Sequence, residues 1–167
     1  LEVMEELSVT VDGVTRKVPR PFVCIATENP VGSAGTQPLP DSQLDRFMVR
    51  LSIGYPTAED QMEILKAKRY ANPLDSVQAK INRDDLLEVQ NFLGNVNIAD
   101  SVLAYIVALC ERTRELELVE LGISPRGIIA LTRMSRACAL VRERDFVTPE
   151  DVREVFKATC AHRRVLK

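Results

Sequence analysis

The hydrophobic period of this chain changes once, around residues 54–56, and that change limits what it can fold into. Before it, apolar residues alternate or run together, as in strands. After it, they recur at helical spacing. Strands followed by a long helical stretch point to two units of different class, divided here into residues 1–55 and 56–167. A length of 167 residues suffices for one ordinary domain or two small ones.

In the first part, "LSVTVDGVTRKVP" (7–19) alternates Val9, Val11, Val14 and Val18 around Asp12-Gly13. Asp-Gly between β-branched runs predicts a hairpin, because both turn residues need positive φ. "PFVCIAT" (21–27) is a nearly continuous apolar run and predicts a strand buried on both faces. "VGSAGTQPLP" (31–40) is loop, "DSQLDRF" (41–47) a short helix, and "MVRLSIG" (48–54) a second strand. In the second part, Thr57 and Asp60 fit a capping box for a helix running to about Tyr70. Further helices are predicted at 83–94, stopped by Gly94, at 100–116, opened by Asp100, and at 124–144 and 148–165, with a loose connection at 72–82.

The totals exclude several classes of protein. A hydrophobic fraction of 46% supports a packed core, and 28% charged residues fit a soluble globular chain. The net charge of −2 and the absence of Trp argue against nucleic acid or anionic lipid as partner. No apolar run is long enough to span a membrane, and the N-terminus lacks the pattern of a signal peptide. "LEVMEEL" instead reads as the end of a helix already under way. Cys24, Cys110, Cys138 and Cys160 lie far apart and His162 is the only histidine, so no zinc spacing exists. All four cysteines fall in apolar patterns and are expected to be reduced packing residues.

Two helix openings look alike but differ electrostatically. Thr148-Pro149-Glu150-Asp151 has a cap, a proline at the first helical position and two acids at the positive end of the helix dipole. It is explained as structure. Ser124-Pro125-Arg126 has the same cap and proline, followed by a cation where the dipole opposes one by about 0.3–1 kcal/mol. Arg126 either faces a phosphate beside free helix N–H groups, or extends into solvent, or pairs with Glu120. Arg46 in "LDRF" is open in the same way, between a ligand contact and a surface ion pair with Asp45. Asn29, at the tip of "VCIATENP", is either a turn residue before Pro30 or a side chain delivered to a ligand by a buried strand.

Taken in order, these pieces resemble a known family. "CIATENPVGSAGTQPLPDSQLDRFMVRLSIGYPTAEDQMEIL" (24–65) resembles the second half of the AAA+ ATPase core of the MoxR family, and "ISPRGIIALTRMSRACALVRERDFVTPEDV" (123–152) resembles its lid. The resemblance implies an α+β fragment of an α/β AAA+ core, a hairpin plus two core strands, followed by an all-α lid bundle. It implies that Asn29 is sensor 1, orienting the water that attacks the γ-phosphate. Arg46 corresponds to the arginine finger entering a neighbouring subunit's site, and Arg126 to sensor 2, touching the phosphates from the lid. It further implies ATP and Mg²⁺ as cofactors of a full-length parent, a hexameric ring, a cytoplasmic setting, and client proteins that are remodelled or receive a metal, with von Willebrand factor A domain proteins as partners.

Two family elements are missing from these residues. "GISPRG" (122–127) has P-loop spacing, but Ile128 stands where Lys is needed, and no apolar strand ends in Asp-Glu to hold Mg²⁺. The chain alone is therefore expected neither to bind ATP well nor to hydrolyse it. Segments 21–27 and 48–53, lacking the strand that separates them in the family, are expected to expose unpaired edges. The helical part is expected to fold by itself, with residues 1–55 held by another chain, by rearranged pairing or by a crystal contact. Two rival readings are a non-catalytic helical interaction module and a DNA-associated AAA+ relative that uses the basic hairpin residues Arg16, Lys17 and Arg20.

Overall fold

The computed structural model of the chain describes residues 2–28, 39–68 and 73–166. A short helix, α1 (Glu2–Glu6), leads into a hairpin of β1 (Ser8–Val11) and β2 (Val14–Lys17). Asp12 and Gly13 turn it with φ of 52° and 75°, as the Asp-Gly pair requires. The ladder runs from Ser8 opposite Lys17 to Val11 opposite Val14, and Thr10 and Thr15 hydrogen-bond across it at 3.0 Å. Its strands are largely solvated, including the basic residues Arg16 and Lys17.

The two apolar segments that read as core strands carry no ladder. Residues 22–28 and 49–57 have no regular secondary structure, and Ile25 and Ile53 are 85% and 100% exposed. Strand pairing needs a partner edge, and none lies beside them among the described residues. Cys24 is consequently exposed rather than packed, which corrects the expectation for that cysteine. Between these segments lies α2 (Asp41–Leu44), the short helix anticipated before Phe47.

The helices follow their caps. Thr57 and Asp60 form the reciprocal box: Asp60 N donates to Thr57 Oγ1 at 3.2 Å and Thr57 N to Asp60 Oδ2 at 3.3 Å, opening α3 (Ala58–Lys68). Asn82 caps α4 (Arg83–Phe92) by accepting from Asp85 N at 2.8 Å. Neither α3 nor α4 contributes a buried residue among those described.

The core lies entirely later in the chain. It is built by α5 (Asp100–Arg114), α6 (Pro125–Val141) and α7 (Pro149–Cys160), with Val96 and Ile98 entering from the preceding turn. Val102, Ile106 and Cys110 recur every fourth residue on α5, and Ala130, Leu131 and Ala139 line the facing side of α6. Cys110 and Cys160 are packing residues, as expected. A purely helical second half is not what forms. Val119–Leu121 (β3) pairs antiparallel with Val165–Leu166 (β4), and α7 ends at Cys160 instead of continuing to 165. Phe146 also bridges Asn97.

Asp151 is the polar keystone of the bundle. Its side chain is fully buried, accepts from Thr148 N at 2.9 Å and Thr148 Oγ1 at 3.0 Å, and pairs with Arg144 at 2.5 Å and Arg142 at 3.2 Å. Burial alone would raise its pKa, but the hydrogen bonds from Arg144 and Thr148 outweigh it and hold the carboxyl well below the usual range. Near it in importance is Gly127 of α6. A Cβ there would lie 2.5 Å from Ile123 Cγ2, which is buried, and 3.2 Å from Arg163 Cδ.

Asp151→Ala should destabilise the chain by about 3 kcal/mol in urea unfolding, the low end for breaking a buried pair because both arginines keep some water. Because the folded pKa of Asp151 lies below its ordinary 3.8, its stabilisation is complete above that value and disappears as pH falls through it toward the folded value. Urea midpoints should therefore drop between about pH 5 and pH 2, with a shallower drop in Asp151→Asn. Gly127→Ala would ordinarily favour a helix by about 1 kcal/mol, yet here it should destabilise by about 1–3 kcal/mol, because the methyl group overpacks Ile123. Thermal melts of the two proteins decide the sign.

Candidate functional site

Four separated pieces of chain meet at the N-terminus of α6. The first is the end of α1, which presents Glu5. The second is the turn after α2, where Arg46 N donates to Gln43 O at 3.2 Å and Phe47 N to Leu44 O at 3.0 Å, fixing residues 45–47. The third is the α6 cap. Ser124 Oγ accepts from Gly127 N at 3.2 Å and donates to the Asp45 carboxylate at 3.1 Å. The fourth is the turn after α7, which supplies His162 and Arg163.

Arg126 lies at the second position of α6, a helix with no acid in its first turn. The missing negative charge comes from elsewhere in the chain. Glu5 Oε1 pairs with Arg126 Nη2, and Asp45 Oδ2 lies 3.6 Å from Nη1. The unfavourable helix dipole is thus offset by carboxylates brought in from 121 residues away in the case of Glu5. The Glu120 pairing considered for Arg126 is not formed.

Arg46 pairs with Glu5 as well, through its other oxygen, Oε2. Its sequence neighbour Asp45 turns instead to Ser124 and Arg163. Arg46 and Arg126 therefore share one carboxylate, and both remain accessible, with side chains 29% and 46% exposed. Two guanidinium forks aimed at one carboxylate form a cradle for a planar or tetrahedral oxyanion. Asn29, the third candidate, lies outside the described residues.

Beneath this surface pair is a buried layer. Arg163, its side chain 1% exposed, donates from Nε to Thr159 O at 2.8 Å, from Nη1 to Asp45 O at 2.5 Å and Asp45 Oδ1 at 2.6 Å, and from Nη2 to Phe47 O at 2.6 Å. His162 Nε2 donates to the same Phe47 carbonyl at 3.0 Å, which assigns the proton to Nε2. Burial pushes the His162 pKa down. The Phe47 carbonyl acts the other way, and the nearby Arg163 charge adds to the depression.

Glu5, Asp45 and Arg163 escape sequence reasoning because no local pattern marks them. Their partners are remote, and a charge in a helix tail or a C-terminal "HRR" reads as surface. Only the misplaced cation at Arg126 signals that an acid must come from elsewhere. Among the described residues no cluster of His, Cys, Asp and Glu is arranged to hold a metal ion, and no helix is long and apolar enough to cross a membrane.

The family comparisons match the two ends of the chain to two different models. Residues 1–49 match the ATPase family associated with various cellular activities (AAA), and residues 111–167 match the AAA lid domain. The chain is 42% identical over 166 residues to protein YeaC of Bacillus subtilis, covering 99% of this chain and 52% of that protein. It is 37% identical over 177 residues to the chaperone MoxR1 of Mycobacterium tuberculosis, covering 99% of this chain and 46% of that one. A crystal structure of a candidate ATPase from Cytophaga hutchinsonii superposes with a TM-score of 0.89 at 34% identity, over 99% of this chain and 53% of that one. The chain thus spans about half the length of the curated relatives it matches. An AAA segment, then an AAA lid, with MoxR1 among the relatives matched along nearly the whole chain, leads to one assignment: the chain belongs to the MoxR family of AAA+ ATPases.

Proposed function

We propose that this chain supplies the phosphate-sensing arginines of an ATP-hydrolysing MoxR-type machine, with residues 1–55 as part of its core and 56–167 as its lid. The observation that carries the proposal is the convergence of Arg46 and Arg126 on Glu5. Two residues 80 positions apart, each matching a nucleotide-contacting position of the family, are presented together and paired with an anion of this chain's own.

Bound MgATP supplies the scissile phosphoryl group and the charge of the metal ion. The residues present fit a phosphate: two planar cations, solvent-accessible, with no second carboxylate among the described residues closer than the 3.6 Å of Asp45 to Arg126. In this reading Arg46 stabilises negative charge on the phosphoryl oxygens of a nucleotide held by a neighbouring subunit of a hexameric ring. Arg126 holds the same group from the lid and links it to the lid's position. Asn29 orients the attacking water. Glu5 is the anion both arginines release when phosphate takes its place. The 167-residue chain by itself turns over no ATP, because it has neither a G-x4-GK[ST] loop nor a strand ending in Asp-Glu. The full-length protein works in the cytoplasm on client proteins, remodelling them or loading a metal or cofactor, with a von Willebrand factor A domain protein as partner.

The test is ATP turnover by the assembled full-length protein. Arg46→Ala should lower kcat about a thousandfold, within the range for an arginine supplied in trans. Arg126→Ala should weaken nucleotide binding as well as turnover. Glu5→Gln should leave kcat within a few-fold while tightening nucleotide binding, since the competing anion is gone. Unchanged turnover in assembled Arg46→Ala would overturn the assignment.

A further inference from the structure

The turn that carries Arg46 has almost no apolar anchorage. Phe47 and Val49 are half-buried, the other residues from Met48 through Ile53 are exposed, and no described residue before Val96 belongs to the core. Besides its local bonds to Gln43 O and Leu44 O, the Ser124 cap and Glu5, the turn is held by a set of hydrogen bonds from one end of α7. Arg163 takes the carbonyls of Asp45 and Phe47, the residues flanking Arg46 on either side, together with the Asp45 carboxylate. His162 takes the Phe47 carbonyl a second time, and Arg50 N donates to Ala158 O at 2.8 Å.

We infer that Arg163, assisted by His162, is the positioning residue for Arg46: it locks the backbone on both sides of that arginine to the C-terminal end of the lid. The inference rests on the reading of Arg46 as a phosphate-contacting residue and adds a residue and a route to it. A guanidinium suits the task because its nitrogens diverge in a rigid plane. Nε returns to its own helix at Thr159 O while Nη1 and Nη2 reach across to the two carbonyls. A lysine could pair with Asp45 but could not span these acceptors. The stem of Arg163 is itself confined, because its Cδ passes where a Cβ on residue 127 would be 3.2 Å away.

The consequence is a mechanical link. Asp45 joins Arg163 on one side and Ser124, the cap of the helix bearing Arg126, on the other. The lid thereby controls both arginines at once: Arg126 directly on α6, and Arg46 through the α7 end. A shift of the lid against the rest of the subunit then moves both phosphate contacts as a unit, and Arg46 follows the lid rather than the core segment that precedes it in sequence.

Arg163→Lys and Asp45→Asn separate this role from general stability. In the full-length protein without nucleotide, hydrogen exchange of the 45–50 amides should rise tenfold or more in Arg163→Lys, while exchange in α5 and α6 stays near wild type. In mixed rings, Arg163→Lys subunits carrying an inactivated nucleotide site of their own should fail to stimulate wild-type neighbours, as Arg46→Ala subunits fail. Asp45→Asn, which keeps the carbonyl bonds, should give a smaller change in both measurements. Unchanged exchange at 45–50 in Arg163→Lys overturns the inference, and so does raised exchange with full stimulation of neighbours. If Arg46→Ala subunits stimulate normally, the function assigned to Arg46 falls, and the exchange result still decides whether Arg163 holds the turn.

Discussion

A buried guanidinium with every nitrogen occupied ties the two parts of this chain together. Arg163 is 1% exposed, and a charge so placed is tolerable only when fully paired and hydrogen-bonded. Its partners are not chosen from its own helical bundle. Apart from Thr159 O, they all lie in the 45–47 turn. The bundle therefore cannot satisfy its own buried charge without recruiting the N-terminal part. The rest of the interface follows from that demand: Asp45 is drawn to Arg163 and the α6 cap, its pairing with Arg126 is the longer 3.6 Å, and Glu5 is shared between Arg46 and Arg126.

This arrangement places stability and function in different layers. The apolar core of α5, α6 and α7 and the Asp151 network involve none of the candidate nucleotide contacts. The polar junction of Arg163, Asp45 and Ser124 adds little hydrophobic burial but fixes geometry. Polar junctions of this kind specify orientation more than they stabilise. That division fits the proposed reading, in which Arg126 links bound phosphate to the position of the lid. An apolar joint is indifferent to small sliding, whereas a fan of short hydrogen bonds either holds or lets go.

What could be read in the sequence and what could not divides along range of interaction. Asp12-Gly13, Thr57-Asp60, Asn82 and Ser124 act within a few residues, so the hairpin and the helix starts were legible to within a residue or two. The 21–27 and 48–54 runs were legible as apolar, but the strands expected of them do not form, because pairing is a property of two segments and no partner edge lies beside either among the described residues. The β3–β4 ladder was missed for the complementary reason: three and two residues are too short to display a period, and their pairing closes a separation of more than forty residues. In the site, Arg46 and Arg126 were marked by motif and by a violated dipole rule; Asp45 was visible in the same motif but with the wrong partner, and Glu5 and Arg163 carry no mark until the chain is folded.

The violated rule at Arg126 is also the clearest physical reason for an anion to come and go. A cation at a helix N-terminus attracts negative charge twice over, through its own charge and through the positive end of the helix dipole. An acid in the first turn, as Glu150 and Asp151 provide for α7, would satisfy both permanently and leave nothing for a ligand. Helix α6 has no such acid and borrows Glu5, a residue on a five-residue helix outside the core, its side chain 40% exposed. In the proposed reading, phosphate of higher charge displaces this solvent-exposed anion, and Arg46 is freed in the same step because the two arginines share it. What couples the two cations in that reading is that Glu5 has two oxygens and each is already taken by one of them.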